Sequence, residues 1–530
     1  RPCGAVPPDG SARDRTSPTA SPKSWRRTWT VVWSIAGGVC ALMWLLLRSG
    51  AKPSRLAYPC QRAAIATAAA AFAVPFVAGL VATRGRVAAV LNTVTGRIAA
   101  AGLSVVSLVL LALASGDDYR GGPLLEPPAG YAPDVFLVND ARGVEPGRYG
   151  GVDDLVTLMG AQGLKWHRSA TTGVTSGPDG LIDADDVVLI KVNAQWGQRG
   201  GTNTDVVRGV IRRIVEHPDG FVGEVIVADN GQGAGNLDRA QSNAEDPAQS
   251  FQDVVNDFAA EGWSVSTMLW DTIRLTAAVE YDAGSLADGY VVDAAWNPRT
   301  QIRVSYPKFR SAAGRYISYK HGVWSESLQT YQRDRLVVIN MPVLKTHFIY
   351  GITASVKNHM GVITNSLGTG SHNAVGLGGM GSVLVEARMP DLTILDAIWI
   401  LARPGMGPPA YYANASRRDQ LVAGTDPVAL DVWAARNILI PQIIANGYAY
   451  GDYHASQDPD NPASVFRTYL DRSMNELLLA GIASTNNPDA VNLHVWTAPP
   501  IPTVSQWGLV VMAIVVLAAG TVLQRRRPAT

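Results

Sequence analysis

Asp186-Val187-Val188-Leu189-Ile190-Lys191-Val192, then a glycine-bearing loop from Gly197 to Thr204, then 206–216 and 222–228: this stretch decides the fold. The first run is short and apolar from Val187 to Ile190, the pattern of a strand buried on both faces. In 206–216, Val206, Val207, Val210, Ile211 and Ile214 fall on one side of a helix. Thr204 or Asp205 stands where a cap is needed, and Pro218-Asp219-Gly220 ends the helix. Residues 222–228 are again apolar and stop at Asp229-Asn230-Gly231. Strand, helix and strand at this spacing predict a right-handed βαβ unit, and so a parallel sheet.

Similar units lie on both sides. Strands are expected at 134–138, 263–269, 336–340, 392–399 and 421–424, and helices at 152–159, 251–260, 381–387 and 427–438. Residues 281–333 are rich in aromatics and short alternations, which suggests a β-rich insertion. The expected class is therefore α/β, a mostly parallel sheet flanked by helices. In such sheets ligands bind beyond the carboxyl ends of the strands. The polar residues placed there are Lys191 and Asn193, Asp229 and Asn230, the segment from Asn340 to His347, Asp396, and Asp426 with Asp431.

The densest group is Asn340-Met341-Pro342-Val343-Leu344-Lys345-Thr346-His347, followed by Lys357-Asn358-His359-Met360-Gly361. Lysine ammonium groups and asparagine amides hold carboxylate or phosphate oxygens, which makes Lys191, Asn193, Lys345, Lys357 and Asn358 candidate ligand-binding residues. His347 has the chemistry of an acid or base near neutral pH. Asp396 and Asp431 are the carboxylates that join it as catalytic candidates or as ligands to a divalent metal, and the sequence does not decide between these roles. A solvated loop with a few surface charges is the plainer account of 340–361. Two classes of function remain: an enzyme acting on an anionic small molecule, and a non-catalytic envelope protein that binds at the same cleft.

The order Lys191-x-Asn193, Asp229, Asn340-x-Pro342-x-x-Lys345-x-His347, Lys357-Asn358-x-x-Gly361, Asp396 and Gly424-x-Asp426-Pro427-x-Ala429-x-Asp431 resembles the DUF362 family over about 185–440. The resemblance implies the α/β core but no reaction, since the chemistry of that family is not established. Many of its members resemble iron–sulfur proteins through an attached Cys-rich segment. Here Cys3, Cys40 and Cys60 all precede residue 116. No iron–sulfur cluster is therefore expected in the outer domain, and no other cofactor is indicated.

Composition gives the address. The chain has 530 residues, of which 17% are charged, against about 25% in soluble proteins. Of the formal net charge of +1, residues 1–115 hold +11 and residues 501–530 hold +3, which leaves −13 on 116–500. An acidic middle argues against nucleic acid as a partner, because such binding needs Lys and Arg to displace counterions. Residues 28–47 are uncharged, long enough at 1.5 Å per residue to cross about 30 Å of hydrocarbon. Residues 64–82 and 98–114 are further candidate spans. At the other end Ile501-Pro502-Thr503-Val504-Ser505-Gln506-Trp507-Gly508 precedes an uncharged run to Gln524 and then Arg525-Arg526-Arg527.

That tail resembles the IPTL-type C-terminal sorting segment of Gram-negative bacteria, with Ile501, Pro502, Thr503, Trp507 and Gly508 as its signature. The resemblance implies a membrane sorting peptidase of the exosortase kind as a partner. The positive-inside rule keeps the Arg triplet cytoplasmic and puts 116–500 outside the cytoplasm. Arg48, Lys52, Arg55 and Arg62, between the first two candidate spans, run against that rule. The expected plan is a membrane region at 1–115, a Gly/Pro-rich linker at 116–133, an extracytoplasmic domain at 134–500 and a sorting or anchor segment at 501–530. The location is then the bacterial inner membrane or cell envelope.

Overall fold

The computed structural model describes residues 119–143 and 147–497. The three candidate N-terminal spans and the sorting motif lie outside these residues. The chain divides into two units, Pro123–Ser371 with Gly378–Thr530, and Arg1–Gly122 with His372–Leu377. The sheet and the candidate site belong to the former.

The main sheet has ten strands: β1 (Asp134–Val138), β2 (Val187–Lys191), β3 (Glu224–Asp229), β4 (Val265–Leu269), β5 (Leu336–Asn340), β6 (Val343–His347), β7 (Gly351–Thr353), β8 (Leu392–Leu401), β9 (Ser416–Gly424) and β10 (Asn492–Val495). Their order is β10-β1-β9-β8-β5-β2-β3-β4. The run from β8 to β4 is parallel throughout. β9 is antiparallel to β8 and β1, and β10 is parallel to β1. One rung crosses all eight: Leu493, Val135, Gly424, Thr393, Asn340, Lys191, Ala228 and Met268. The structure thus has the α/β, mostly parallel sheet expected from the βαβ pattern, with antiparallel strands added at one edge.

Both faces are covered, which is why the strands read as continuous apolar runs. Helices α1 (Gly150–Ala161), α2 (Thr204–Val215) and α3 (Phe251–Ala260) bury Val152, Val210, Ile214 and Phe258 in one core with Val188, Ile190, Val225, Val227, Ile339 and Ile394. The alternate residues Leu189, Ile226, Val338 and Leu395 are equally buried outside that cluster. Further along the chain come α4 (Ser355–Asn358), α5 (Gly379–Glu386), α6 (Pro427–Ala434), α7 (Ile440–Ala445), α8 (Tyr450–Tyr453) and α9 (Val465–Leu479). α4 packs on α6, and α5 on α9. Among the described residues, one helical run, Pro427–Ala445, is long and apolar enough to cross a membrane, and most of it is buried within the domain.

The cap of α2 is Asn203, whose Oδ1 accepts from the amides of Asp205 and Val206 at 2.9 and 3.3 Å. The sequence reading named Thr204 or Asp205. These two are instead turned to the 245–249 loop, Thr204 to the Gln249 carbonyl and Asp205 to the Glu245 amide. Between β4 and β5 lies a second, five-stranded antiparallel sheet running from Gly289–Val292 to Thr330–Gln332. Its aromatics pack on one another, with Tyr281 beside Tyr316, Trp324 and Tyr331.

β5 and β6 are two successive strands laid along one long neighbour. β8 is ten residues long. Its Leu392 and Thr393 pair with Ile339 and Asn340 of β5, and its Asp396 and Leu401 pair with Val343 and Lys345 of β6. The chain steps sideways at Met341-Pro342, so 343–347 is a buried strand, not the solvated loop that its polar residues suggested.

Candidate functional site

Lys191 ends β2 and Asp229 ends β3. Because these strands are adjacent and parallel, the two side chains meet, with Nζ 2.9 Å from Oδ1 and both buried. The same ammonium donates to the carbonyls of Val192 at 2.9 Å and Asn358 at 2.6 Å. Its three protons are thereby used, so Lys191 ties β2, β3 and the end of α4 together. Asp229 Oδ2 accepts from the Ala194 amide at 2.7 Å. Burial pushes the Lys191 pKa down and the Asp229 pKa up, each shift opposed by the attraction of the partner. Gly361 lies against this pair: a Cβ there would collide with Asp229 Oδ1 and Lys191 Nζ.

Lys345, in β6, is fully buried, and its ammonium donates to the carbonyl of Gly200 in the loop after β2. Burial draws its pKa well below the ordinary value. Lys357 and Lys191 draw it further, while Asp229 and Asp396 oppose the shift. Lys357, on α4, is half-buried, and its pKa is lowered to about 8, first by burial and then by Lys191. Its ammonium sits 5.3 Å from the centroid of the Tyr350 ring. The three lysines are therefore near enough to depress one another. Asp229 pairs with one of them. No carboxylate among the described residues lies within ion-pair distance of the other two.

Polar groups surround this cationic cluster. Asn358 Nδ2 donates to Asn340 Oδ1 at 2.8 Å, and Asn340 donates to the Ser355 carbonyl at 3.2 Å. Thr353 stands opposite Lys345 in the β6–β7 pair. Asn193 Oδ1, Asn358 Oδ1, Thr353 Oγ1 and Ser355 Oγ are buried without a hydrogen-bond partner among the described residues. His347, at the outer end of β6, accepts at Nδ1 from the amides of Ile349 and Tyr350, which leaves the proton of a neutral imidazole on Nε2. Its ring lies 5.3 Å from that of Tyr350, so Tyr350 neighbours both His347 and Lys357.

The two candidate carboxylates are held by backbone. Asp396 does not end its strand; it lies within β8. Its Oδ2 accepts from the Asn203 amide at 2.8 Å and Asn243 Nδ2 at 3.2 Å, and its Oδ1 from the Ile398 amide at 3.0 Å. Asp431, on α6, accepts from the Ser355 and Val356 amides at 2.7 and 2.9 Å, which caps the N-terminus of α4. Burial raises both carboxyl pKa values to about 7. Asp426 caps α6 through the Val428 and Ala429 amides and also holds Ser484 and Thr485. Among the described residues no three His, Cys, Asp or Glu side chains are placed to hold a metal ion.

The structure therefore brings Lys191, Lys345, Lys357 and Asn358 together. Asp431 is linked to them through α4. Asp396 is linked through Asn203, three residues beyond the carbonyl that Lys345 contacts. The sequence reading gave no role to Tyr350 or Thr353, although Thr353 falls within the dense polar segment, and it passed over the packing role of Gly361. A signal for the last was available, since a glycine three residues after Lys357-Asn358 marks a close backbone approach.

Residues 316–436 match the family model described as "Domain of unknown function (DUF362)". This segment is similar to the DUF362 family. It includes Lys345, His347, Lys357, Asn358, Asp396 and Asp431, while Lys191 and Asn193 precede it. Residues 499–527 match the IPTL-CTERM motif. A thylakoid-associated protein of Synechocystis sp. is 34% identical over 123 residues. That match takes in 22% of this chain and 37% of the relative, so the chain spans little more than a third of the curated relative's length. No solved structure matches.

Proposed function

We propose that this is a membrane-anchored extracytoplasmic protein whose DUF362 domain holds an anionic small molecule beside Lys345 and Lys357, with Asn193 and Asn358 as further polar contacts. The supporting observation is the charge balance of the cluster. Three lysines lie in one buried region, and the ion-pair partner Asp229 is committed to Lys191. A buried ammonium costs several kcal/mol of hydration unless it is paired, and an anion placed between Lys345 and Lys357 would offset that cost. In this reading Lys191 positions α4 and does not itself contact ligand, because its protons are taken. Asp396 and Asp431 position the loops, and His347 with its Nε2 proton is the candidate acid.

The IPTL-CTERM motif supports association with the cell envelope. The proposal adds that a sorting peptidase reads Trp507-Gly508 and that Arg525–Arg527 stay cytoplasmic. The test of the site is calorimetric titration of the purified chain with inorganic phosphate and with a small dicarboxylate. Saturable binding that Lys345→Met abolishes is expected. If neither probe binds, or if the variant binds equally well, the anion site is refuted. Turnover of a bound anion that is lost in His347→Gln would extend the reading from a binding protein to an enzyme.

A further inference from the structure

The register of the sheet shows at which end the chain leaves toward its C-terminal segment. Leu493 shares its rung with Lys191, and β10 is parallel to β1, so Val495 lies two residues past that rung in the direction of the carboxyl ends. The chain thus leaves the sheet at the end where the lysine cluster sits. Eleven residues, 498–508, separate the last described residue, Thr497, from the uncharged run that begins at Leu509. At about 3.3–3.6 Å per residue they reach at most about 40 Å. An anchor at 509–524 therefore keeps the carboxyl end of the sheet within about 40 Å of the bilayer.

That end presents large apolar and aromatic side chains to solvent. Phe348 follows β6 and is 58% exposed, and Tyr411, in the turn from β8 to β9, is 51% exposed. Ile444 on α7 is 54% exposed and Tyr450 on α8 is 58% exposed. Hydrogen bonds hold these segments to the same end of the sheet: the Tyr412 amide donates to Gln198 in the loop after β2, and Gln457, just after α8, donates to the Gly351 carbonyl beside the end of β6. The Phe348 amide donates to the Gly407 carbonyl, and Asn446, just after α7, donates to the Ala402 carbonyl and to Ser416. Tyrosine and phenylalanine suit the interfacial layer of a membrane. The net charge of −13 on 116–500 gives the domain no electrostatic attraction to anionic lipid, so the contact would be apolar.

We infer that the carboxyl end of the sheet docks on the lipid surface through Phe348, Tyr411, Ile444 and Tyr450, with the C-terminal segment as the tether. This rests on the membrane-anchored reading above but not on its anion site. The test uses the full chain in vesicles of zwitterionic lipid, with Cys3, Cys40 and Cys60 changed to Ser and an environment-sensitive fluorophore on Phe348→Cys, Tyr450→Cys or Val222→Cys. Val222 is the control: it is 72% exposed and precedes β3, at the amino end of the strands. A quencher carried on the lipid should dim the labels at 348 and 450 several-fold more than the label at 222, and 1 M salt should not change this. Equal quenching at all three positions, in chains that float with the vesicles, overturns the docking and leaves the anchor standing. Chains that do not float with the vesicles overturn the anchor and the docking together.

Discussion

Replacing Lys345 by Met separates a lysine kept for a ligand from one kept for the fold. The ammonium of Lys345 makes one hydrogen bond, to the Gly200 carbonyl. Losing it leaves that carbonyl unpartnered, a cost of about 1–3 kcal/mol. Against this, the variant no longer buries an unpaired charge, a relief of several kcal/mol. The net effect of Lys345→Met should lie between about zero and a few kcal/mol of stabilisation, as when buried charges give way to apolar groups of similar volume. Lys191→Met should behave in the opposite way. It removes the partner of Asp229 and two carbonyl contacts, and stranding a buried carboxylate costs about 3–5 kcal/mol. The two variants should therefore differ by about 3 kcal/mol or more, over a hundredfold in the unfolding equilibrium. Urea unfolding of the detergent-solubilised protein, followed by tryptophan fluorescence, measures the difference. If Lys345→Met destabilises as much as Lys191→Met, Lys345 is a structural lysine and the charge argument for an anion fails.

Anion affinity should fall above about pH 8, by up to about tenfold per unit, as Lys357 loses its proton; titrations at pH 8 and pH 9 check this. Gly361→Ala should cost about as much as Lys191→Met, about 3–5 kcal/mol, because the new methyl group forces the Lys191–Asp229 pair apart; unfolding midpoints of the two variants should nearly coincide. The carboxyl pKa of Asp431 is raised to about 7, so the folded state binds the proton more tightly than the unfolded one. Its stabilising share is full below about pH 4 and is lost as pH rises through 7. Asp431→Asn should flatten the fall in stability between about pH 4 and pH 7, and should cost about 1–3 kcal/mol by turning an amide group toward a backbone N–H of α4. A reporter fused near residue 250 should behave as periplasmic, and cytoplasmic activity there would reverse the proposed orientation.

The buried strands were the legible part. A run such as 186–192 has one physical use, and Phe251–Ala260 was bounded on both sides by its caps and the following glycine. The break between β5 and β6 was not legible, because it depends on β8 being long enough to serve both, and no local pattern reports the length of a neighbour. The same cause misplaced Asp396, read as a strand terminus although its strand runs on to Leu401. β10 went unread because it pairs on one side and its residues are largely exposed, which erases the alternation. At the site, residue types pointed to the right segments. Which lysine was already satisfied could not be read, since the carbonyls of Val192 and Asn358 are backbone groups that any residue would supply.

The position of β1 has a consequence for how the protein is made. Its hydrogen-bonding neighbours are β9 and β10, so Asp134–Val138 wait for strands that begin at Ser416 and Asn492. At synthesis rates of about 5–20 residues per second, the interval is on the order of tens of seconds. Through that time the apolar segment Val135-Phe136-Leu137-Val138 has no strand to join, and pairings so distant in sequence are slow to form. A domain that cannot close until nearly its last strand is in place stays open for most of its synthesis. The same delay leaves an aggregation-prone strand within reach of any chaperone that meets the chain before it closes.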